Sequence, residues 1–497
     1  MAELVTNIAL GFQVLFTAGN LIACLLGVYL GLASGILPGM NPVILMGMLL
    51  PVTFALSPVT TMVLLVSIFN GAQYGASIKS IVSSADDAAA GGLSSRDGRR
   101  MAWQGQAGQA LSGTLVASVV GTFFAAAFIM LAAPMLARFG LTLGPPELFS
   151  GIVLALVTTV LVSPGSILSG LAVLAFGMLL GLVGIDVSTG EPRMTLGQAE
   201  LLDGIGAVSL VIGIFAIGEM IATLEAGDRR GVVIRNLTGF LLSGDDVRRM
   251  VLPIVRGSVL GSLLGLLPGG GPALATYGAY ATEAAVGKRG HELGQGIIEG
   301  VVAPTAANRS GTQTSFITLL AFGIPTGPAV AMLLAALYIH GIVPGPTMIT
   351  TQPQIYWGML AALWLGSVAL LLTYLPMMTT WIRLIEVPYR FVFPIVLGLS
   401  AIGAFSTNSS ASDLLAIGVF GILGYVLRKL DCSTTPFLIG FILAPVLEEH
   451  FRRSMVLSNG DYAIFLSRPL SAALLIIATV LFSNAVLPPL DRSRLET

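Results

Sequence analysis

Residues 31–42 read Gly-Leu-Ala-Ser-Gly-Ile-Leu-Pro-Gly-Met-Asn-Pro, and residues 261–272 read Gly-Ser-Leu-Leu-Gly-Leu-Leu-Pro-Gly-Gly-Gly-Pro. Gly31, Gly35, Leu37, Pro38, Gly39 and Pro42 recur 230 positions later as Gly261, Gly265, Leu267, Pro268, Gly269 and Pro272. A Leu-Pro-Gly run does not continue an α-helix, because proline removes a backbone donor and glycine weakens the helix. Each copy nevertheless ends one apolar run and begins another. Backbone groups freed inside a bilayer must be buried in protein or face a water-filled cavity, and paired interrupted helices in two halves of a chain mark a central site. The echo therefore divides the chain into a first half, residues 1–246, and a second half, residues 247–497.

The composition supplies the solvent. Of 497 residues, 55% are hydrophobic and 10% charged, where a soluble domain carries about 25% charged residues. Mean hydropathy is +0.91. So few charges cannot cover a soluble surface of this size, so most of the surface faces a lipid bilayer. A span needs roughly 20 apolar residues, and the apolar runs predict about ten to twelve crossings plus half-length helices. The expected fold is an all-α polytopic membrane protein in two repeated halves, with interrupted or re-entrant helices at the two motifs. Whether the halves are inverted or parallel depends on crossing parity and stays open at this level. The Arg-rich break at 225–256 is the best cytoplasmic connection by the positive-inside tendency. The N-terminal Met1-Ala2-Glu3 lacks a basic n-region, so the first apolar segment is expected to remain as a span.

Other function classes fall away on the same counts. A formal net charge of −1 offers no basic surface to nucleic acid. Cys24 and Cys432 form no disulfide framework or metal motif. The histidines, His291, His340 and His450, are widely spaced and no H-E-x-x-H occurs, so neither an enzyme, a metal nor a cofactor is expected. No G-x-x-x-x-G-K-[ST] sequence is present to bind nucleotide phosphates. A passive channel would call for pore helices with rings of one charge sign, which two broken-helix copies do not provide.

Polar groups at membrane depth follow each motif. Asn70, Gln73, Ser77, Lys79 and Ser80 lead to Ser83-Ser84-Ala85-Asp86-Asp87; in the second half Thr305, Asn308, Arg309, Ser310, Thr312, Gln313 and Thr314 lead to Thr326. The motif residues Gly39, Asn41, Gly269 and Gly271 are expected to line the central site, where helix N-termini and glycine backbones would favour the carboxylate that the family resemblance given below implies. Ser77, Asn308, Thr312 and Thr326 would supply side-chain hydrogen bonds. Lys79 and Arg309 would supply charge, with Ser84 and Asp86 at the chain break. Arg309 has no acidic neighbour in sequence. For Lys79, pairing with Asp86 or Asp87, contact with substrate and snorkelling at a helix end all remain open. Glu219 reads as a helix end and His340 as a helix cap.

The residues also resemble a known family. Gly-Ile-Leu-Pro-Gly and Gly-Leu-Leu-Pro-Gly, Val302-Ala303-Pro304 running to Ala306-Ala307-Asn308, Gly323-Ile324-Pro325 and Ile339-His340-Gly341 with Pro344-Gly345-Pro346 are similar to the TctA family. Gly184-Ile185-Asp186, Gly190 to Arg193, Glu200 to Ile205 and Ser458 to Pro469 extend the likeness over nearly the whole chain. The family comprises the large permease subunits of tripartite tricarboxylate transporters. The resemblance implies a multi-pass carrier in the bacterial inner membrane that takes up a carboxylate. It also implies a small membrane subunit, a periplasmic substrate-binding protein, and a coupling cation, H⁺ or Na⁺, in place of ATP. Departures fall at the expected binding loops. Ser83 to Asp87 stand where the family usually has Asn-Thr-Pro-Gly-Thr, Arg309 follows Asn308 where an Asn is usual, Gln313-Thr314 replace Gly-Gly, and Thr305 stands where a Glu is common. No particular tricarboxylate is therefore implied.

Overall fold

Glycine spacing decides how the helices of this chain approach one another. The computed structural model describes residues 2–37, 39–83, 94–186, 189–226, 239–240, 242–267, 270–385, 387, 392–398, 401 and 411–486. In chain order they form α1 (Ala2–Leu15), α2 (Ala18–Ile36), α3 (Pro42–Thr53), α4 (Pro58–Val82), α5 (Ser94–Trp103), α6 (Ala107–Leu141), α7 (Pro145–Val162) and α8 (Ile167–Gly181). A short antiparallel hairpin follows, β1 (Gly184–Ile185) with β2 (Pro192–Arg193). Helix α9 begins at Ala207–Val211 and continues through a π-helical turn, Ile212–Ile217, into Gly218–Ala226. Then come α10 (Gly244–Leu264), α11 (Gly271–Val286), α12 (Ile298–Phe322), α13 (Pro328–Ile339), α14 (Pro353–Ile385), α15 (Ala411–Lys429), α16 (Thr434–Leu457) and α17 (Pro469–Val486).

Seven of the described helices are long and apolar enough to cross a bilayer, and four more apolar helices are shorter, α3 and α13 among them. The protein is an all-α polytopic membrane protein. Outward faces of α15 and α17 expose Leu415, Val419, Ile476 and Val480, as expected where lipid is the solvent.

Each motif interrupts a helix. Helix α2 stops at Ile36, Gly39 takes a left-handed φ of 71°, and Asn41 caps α3, whose first residue is Pro42. Helix α10 stops at Leu264, and α11 starts at Gly271 with Pro272 in its first turn. Proline is suited to that position, where its missing N–H is no loss. The freed Leu266 carbonyl accepts from the Thr318 hydroxyl at 3.1 Å, which is how a broken membrane helix is kept satisfied.

Flanking the breaks are two glycine ladders. A Cβ on Gly27, Gly31 or Gly35 of α2 would stand 2.7, 2.0 or 2.1 Å from the carbonyl oxygen of Leu64, Ile68 or Ala72 on α4. On α10 and its C-cap, a Cβ at Gly257, Gly261 or Gly265 would stand 2.3 Å from the carbonyl oxygen of Ala303, Ala307 or Gly311 on α12. Only glycine permits such backbone contact, the small-residue packing by which membrane helices associate. The ladder residues of α2 and α10 differ by 230 (257 − 27), and the carbonyls they meet by 239 (303 − 64 and 311 − 72).

Candidate functional site

Helices α4 and α12, the second member of each ladder pair, meet one another through polar groups. Phe69 stacks edge-on against Phe316 with ring centroids 6.0 Å apart, and Gln73 touches Arg309. Residue numbers thus rise along α4 as they fall along α12, so the two helices are antiparallel at this crossing. Under the 239-residue offset, Asn70 of α4 corresponds to Arg309 of α12, and these two also touch.

Arg309 is the centre of the contact. It is 2% exposed. Its Nη1 donates to the Asn70 carbonyl oxygen at 3.1 Å and to Gln73 Oε1 at 2.9 Å, and its guanidinium carbon lies 5.9 Å from the Tyr74 ring centroid. Nη2 is buried and has no hydrogen-bond partner among the described residues. Among the described residues no carboxylate lies within ion-pair distance of Arg309, although carboxylates neutralise Arg193, Arg249, Arg256 and Arg289 elsewhere. Gln313, one helical turn from Arg309, is fully buried, and among the described residues neither atom of its amide has a hydrogen-bond partner.

Around this centre the expected site residues divide. Ser77 is half-buried on α4, its hydroxyl donating to the Gln73 carbonyl at 3.0 Å. Lys79 is half-buried in the last turn of α4, where a cation suits the negative end of the helix dipole. Asn308 is exposed, and the Thr312 hydroxyl one turn on lies 3.3 Å from its Oδ1. Thr326 is buried in the segment between α12 and α13. Asn41 has a local duty, its Oδ1 accepting from the Ile44 N–H at 3.0 Å. Gly271 is required by packing, since a Cβ there would stand 2.3 Å from the Leu264 carbonyl oxygen. Ser84, Asp86 and Gly269 lie outside the described residues, as does Asp87, so the pairing expected for Lys79 lies there too. Many α12 hydroxyls bond back to their own helix, Thr305 to Val301, Thr314 to Ser310 and Ser315 to Thr312, a local satisfaction that composition does not reveal.

Sequence reading passed over Gln313 as a site residue, and Asp97 altogether. Asp97 on α5 is fully buried, accepting from the N–H groups of Gly294, Gly296 and Ile297 and from the Tyr280 hydroxyl at 2.9 Å. Gly296 at φ 96° turns its N–H inward. The only prior signal was the Gly294-Gln295-Gly296 spelling of the receiving loop. Beside it, hydrogen bonding from Arg289 holds the Glu292 carboxyl below its ordinary range. The other sequence-level readings of charged groups have plain partners: Arg428 pairs with Glu219 at 2.7 Å, and His340 ends α13 with its Nε2 3.1 Å from the Thr61 hydroxyl.

A cavity of about 1370 Å³ lies elsewhere, between the β-hairpin, α9, α13 and α16. Asp186, Arg193, Glu448 and Arg452 line one part of it as an ion-pair cluster, with Arg452 2.8 Å from Asp186 and Arg193 2.9 Å from Glu448. These charges neutralise one another, unlike Arg309. Among the described residues no group of three or more His, Cys, Asp or Glu side chains is placed to hold a metal ion.

Comparison with known proteins gives one family. A model of the tripartite tricarboxylate transporter TctA family matches residues 21–439. The chain is 41% identical over 494 residues to an uncharacterized 52.8 kDa protein of Agrobacterium vitis from the TAR-I ttuC' 3'region, covering 99% of this chain and 98% of that one. It is 44% identical over 234 residues to an uncharacterized protein of the same organism from the TAR-II ttuC' 3'region, covering 47% of this chain and 97% of that one. No solved structure matches.

Proposed function

Because the chain belongs to the tripartite tricarboxylate transporter TctA family, we propose that it is the subunit through which a carboxylate-bearing small molecule crosses the bacterial inner membrane. The substrate is handed over by a periplasmic binding protein, a small membrane subunit completes the assembly, and an H⁺ or Na⁺ gradient drives uptake. The observation that carries the substrate class is Arg309, which no carboxylate among the described residues neutralises. A buried charge in a bilayer costs about 3 kcal/mol or more, and two neutral oxygens return only part of that. A carboxylate is the ligand that removes the deficit, through a charge-assisted hydrogen bond from the guanidinium. Nη1 is engaged with Asn70 and Gln73, so Nη2 is the edge offered to substrate.

The site proposed around it runs along the facing sides of α4 and α12, with Ser77, Lys79, Asn308 and Thr312 beside the anion. Thr326 and the motif residues Gly39, Asn41, Gly269 and Gly271 frame it, with Ser84 and Asp86 at the end of α4. The two halves, 1–246 and 247–497, are proposed as inverted repeats. Three features support that: the ladders recur at fixed offsets, α4 and α12 run antiparallel, and Arg309 touches its own counterpart, Asn70. Contact between equivalent positions occurs near a two-fold axis, and an axis that reverses helix direction lies in the membrane plane.

Uptake of labelled carboxylates by cells carrying the chain with its partner subunits tests the reading. Arg309→Gln is expected to raise the apparent KM about 30-fold or more, the loss of one charge-assisted pair, and Arg309→Lys to fall between. Preloaded unlabelled substrate should accelerate entry of label. Wild-type KM in Arg309→Gln would remove Arg309 from the site, and entry indifferent to preloading would make the protein a channel.

A further inference from the structure

We infer that Gln313 is the second donor of the carboxylate site and sets how tightly the anion is held. The inference rests on the carboxylate reading above and goes further by assigning a residue and a geometry. A primary amide buried in a membrane protein without hydrogen bonds is a costly arrangement, and buried polar groups are almost always paired. Both amide atoms of Gln313 are in that state, as is Nη2 of Arg309. The two residues are four apart on one helix, so their side chains share a face about 6 Å apart along the axis. Two orphaned donors on one face, one of them on a cation with no counterion among the described residues, are complementary to the two oxygens of one carboxylate.

The surroundings agree. Under the 239-residue offset Gln313 corresponds to Tyr74, the ring that lies against Arg309. The Phe69–Phe316 pair closes the same face of α12 one turn further on. A carboxylate accepting from Nη2 of Arg309 and Nε2 of Gln313 would give both orphaned donors a partner. The burial of both residues makes this an occluded site, which substrate reaches when α4 and α12 part.

Two substitutions separate a ligand-binding amide from a structural one. Uptake of labelled acetate, succinate and citrate is measured in cells carrying the full chain and its partner subunits, and thermal unfolding is followed on the purified chain. Gln313→Leu is expected to raise the KM of the best-transported carboxylate about tenfold, one hydrogen bond to a charge, without lowering the unfolding temperature. Gln313→Glu places a carboxylate of the protein's own beside Arg309 and should abolish uptake while the chain stays folded. If Gln313→Leu fails to reach the membrane, Gln313→Asn keeps the amide but withdraws it, and the same rise in KM is expected. Wild-type KM in Gln313→Leu, with or without a lowered unfolding temperature, overturns the inference and leaves the carboxylate reading standing. Failure of the wild type to accumulate any of the three acids overturns both.

Discussion

At the scale of single residues, the chain treats its buried charges in two opposite ways. Asp97 is saturated: three backbone N–H groups and a tyrosine hydroxyl converge on it, binding α5 to the loop ahead of α12. Asp97→Ala strands those donors and is expected to cost on the order of 3 kcal/mol, seen as a lowered unfolding temperature in detergent. Asp97→Asn, which keeps an acceptor, should lose less; equal losses would mean that charge alone is at work. Arg309 and Gln313 are the reverse case, under-bonded although buried. Stability alone would have favoured apolar residues at both positions, since replacing buried polar groups by well-packed apolar ones is often neutral or stabilising. The sequence exposed Arg309 as an unmatched cation because no acid lies near it in the chain. It concealed Gln313 and Asp97, whose meaning depends on partners far away in sequence.

At the scale of elements, the glycine ladders set the geometry. With backbone against backbone, α2 and α4 form one unit and α10 and α12 another, and the Arg309 contact is made between the units. Gly31→Ala would press a Cβ to 2.0 Å from the Ile68 carbonyl, so the helices must part, at about 1–3 kcal/mol for overpacking. Gly418, on α15, has nothing within 4 Å of its Cβ position, so Gly418→Ala should instead gain about 0.5–1 kcal/mol from helix propensity. Opposite shifts in unfolding temperature check the pair, and a neutral Gly31→Ala would deny the ladder its role. The Leu-Pro-Gly breaks were legible in sequence, proline and glycine being local instructions. The ladders were only half legible: the repeat marked Gly31, Gly35, Gly261 and Gly265, but not the carbonyls they meet.

For the whole molecule, inverted halves make a topological demand. Positions related by the 230-residue offset should face opposite sides of the membrane. Thr17, just ahead of α2, and Val247, in the first turn of α10, form such a pair, and both are exposed. In a background with Cys24 and Cys432 replaced, Thr17→Cys and Val247→Cys are expected to react with an impermeant thiol reagent from opposite faces, one in intact cells and the other only after permeabilisation. Labelling of both from one face would make the halves parallel and would detach the Asn70–Arg309 contact from any in-plane axis.

Sequence by itself determined the solvent, the helical class and the two interruptions, because each follows from local chemistry: hydropathy chooses lipid, and proline with glycine ends a helix wherever it stands. It also determined the family, through short motifs kept in order along the chain. Tertiary structure alone decided which polar groups meet. The polar groups of α12 looked alike in sequence, yet Thr314 and Ser315 bond back to their own helix, Thr318 closes a broken one, and Gln313 has no partner among the described residues. Hydrogen bonding is short-ranged and directional; whether a buried amide is satisfied or waiting for a ligand is therefore decided by the helices packed around it, α6 and α10 among them, which lie far from it in sequence.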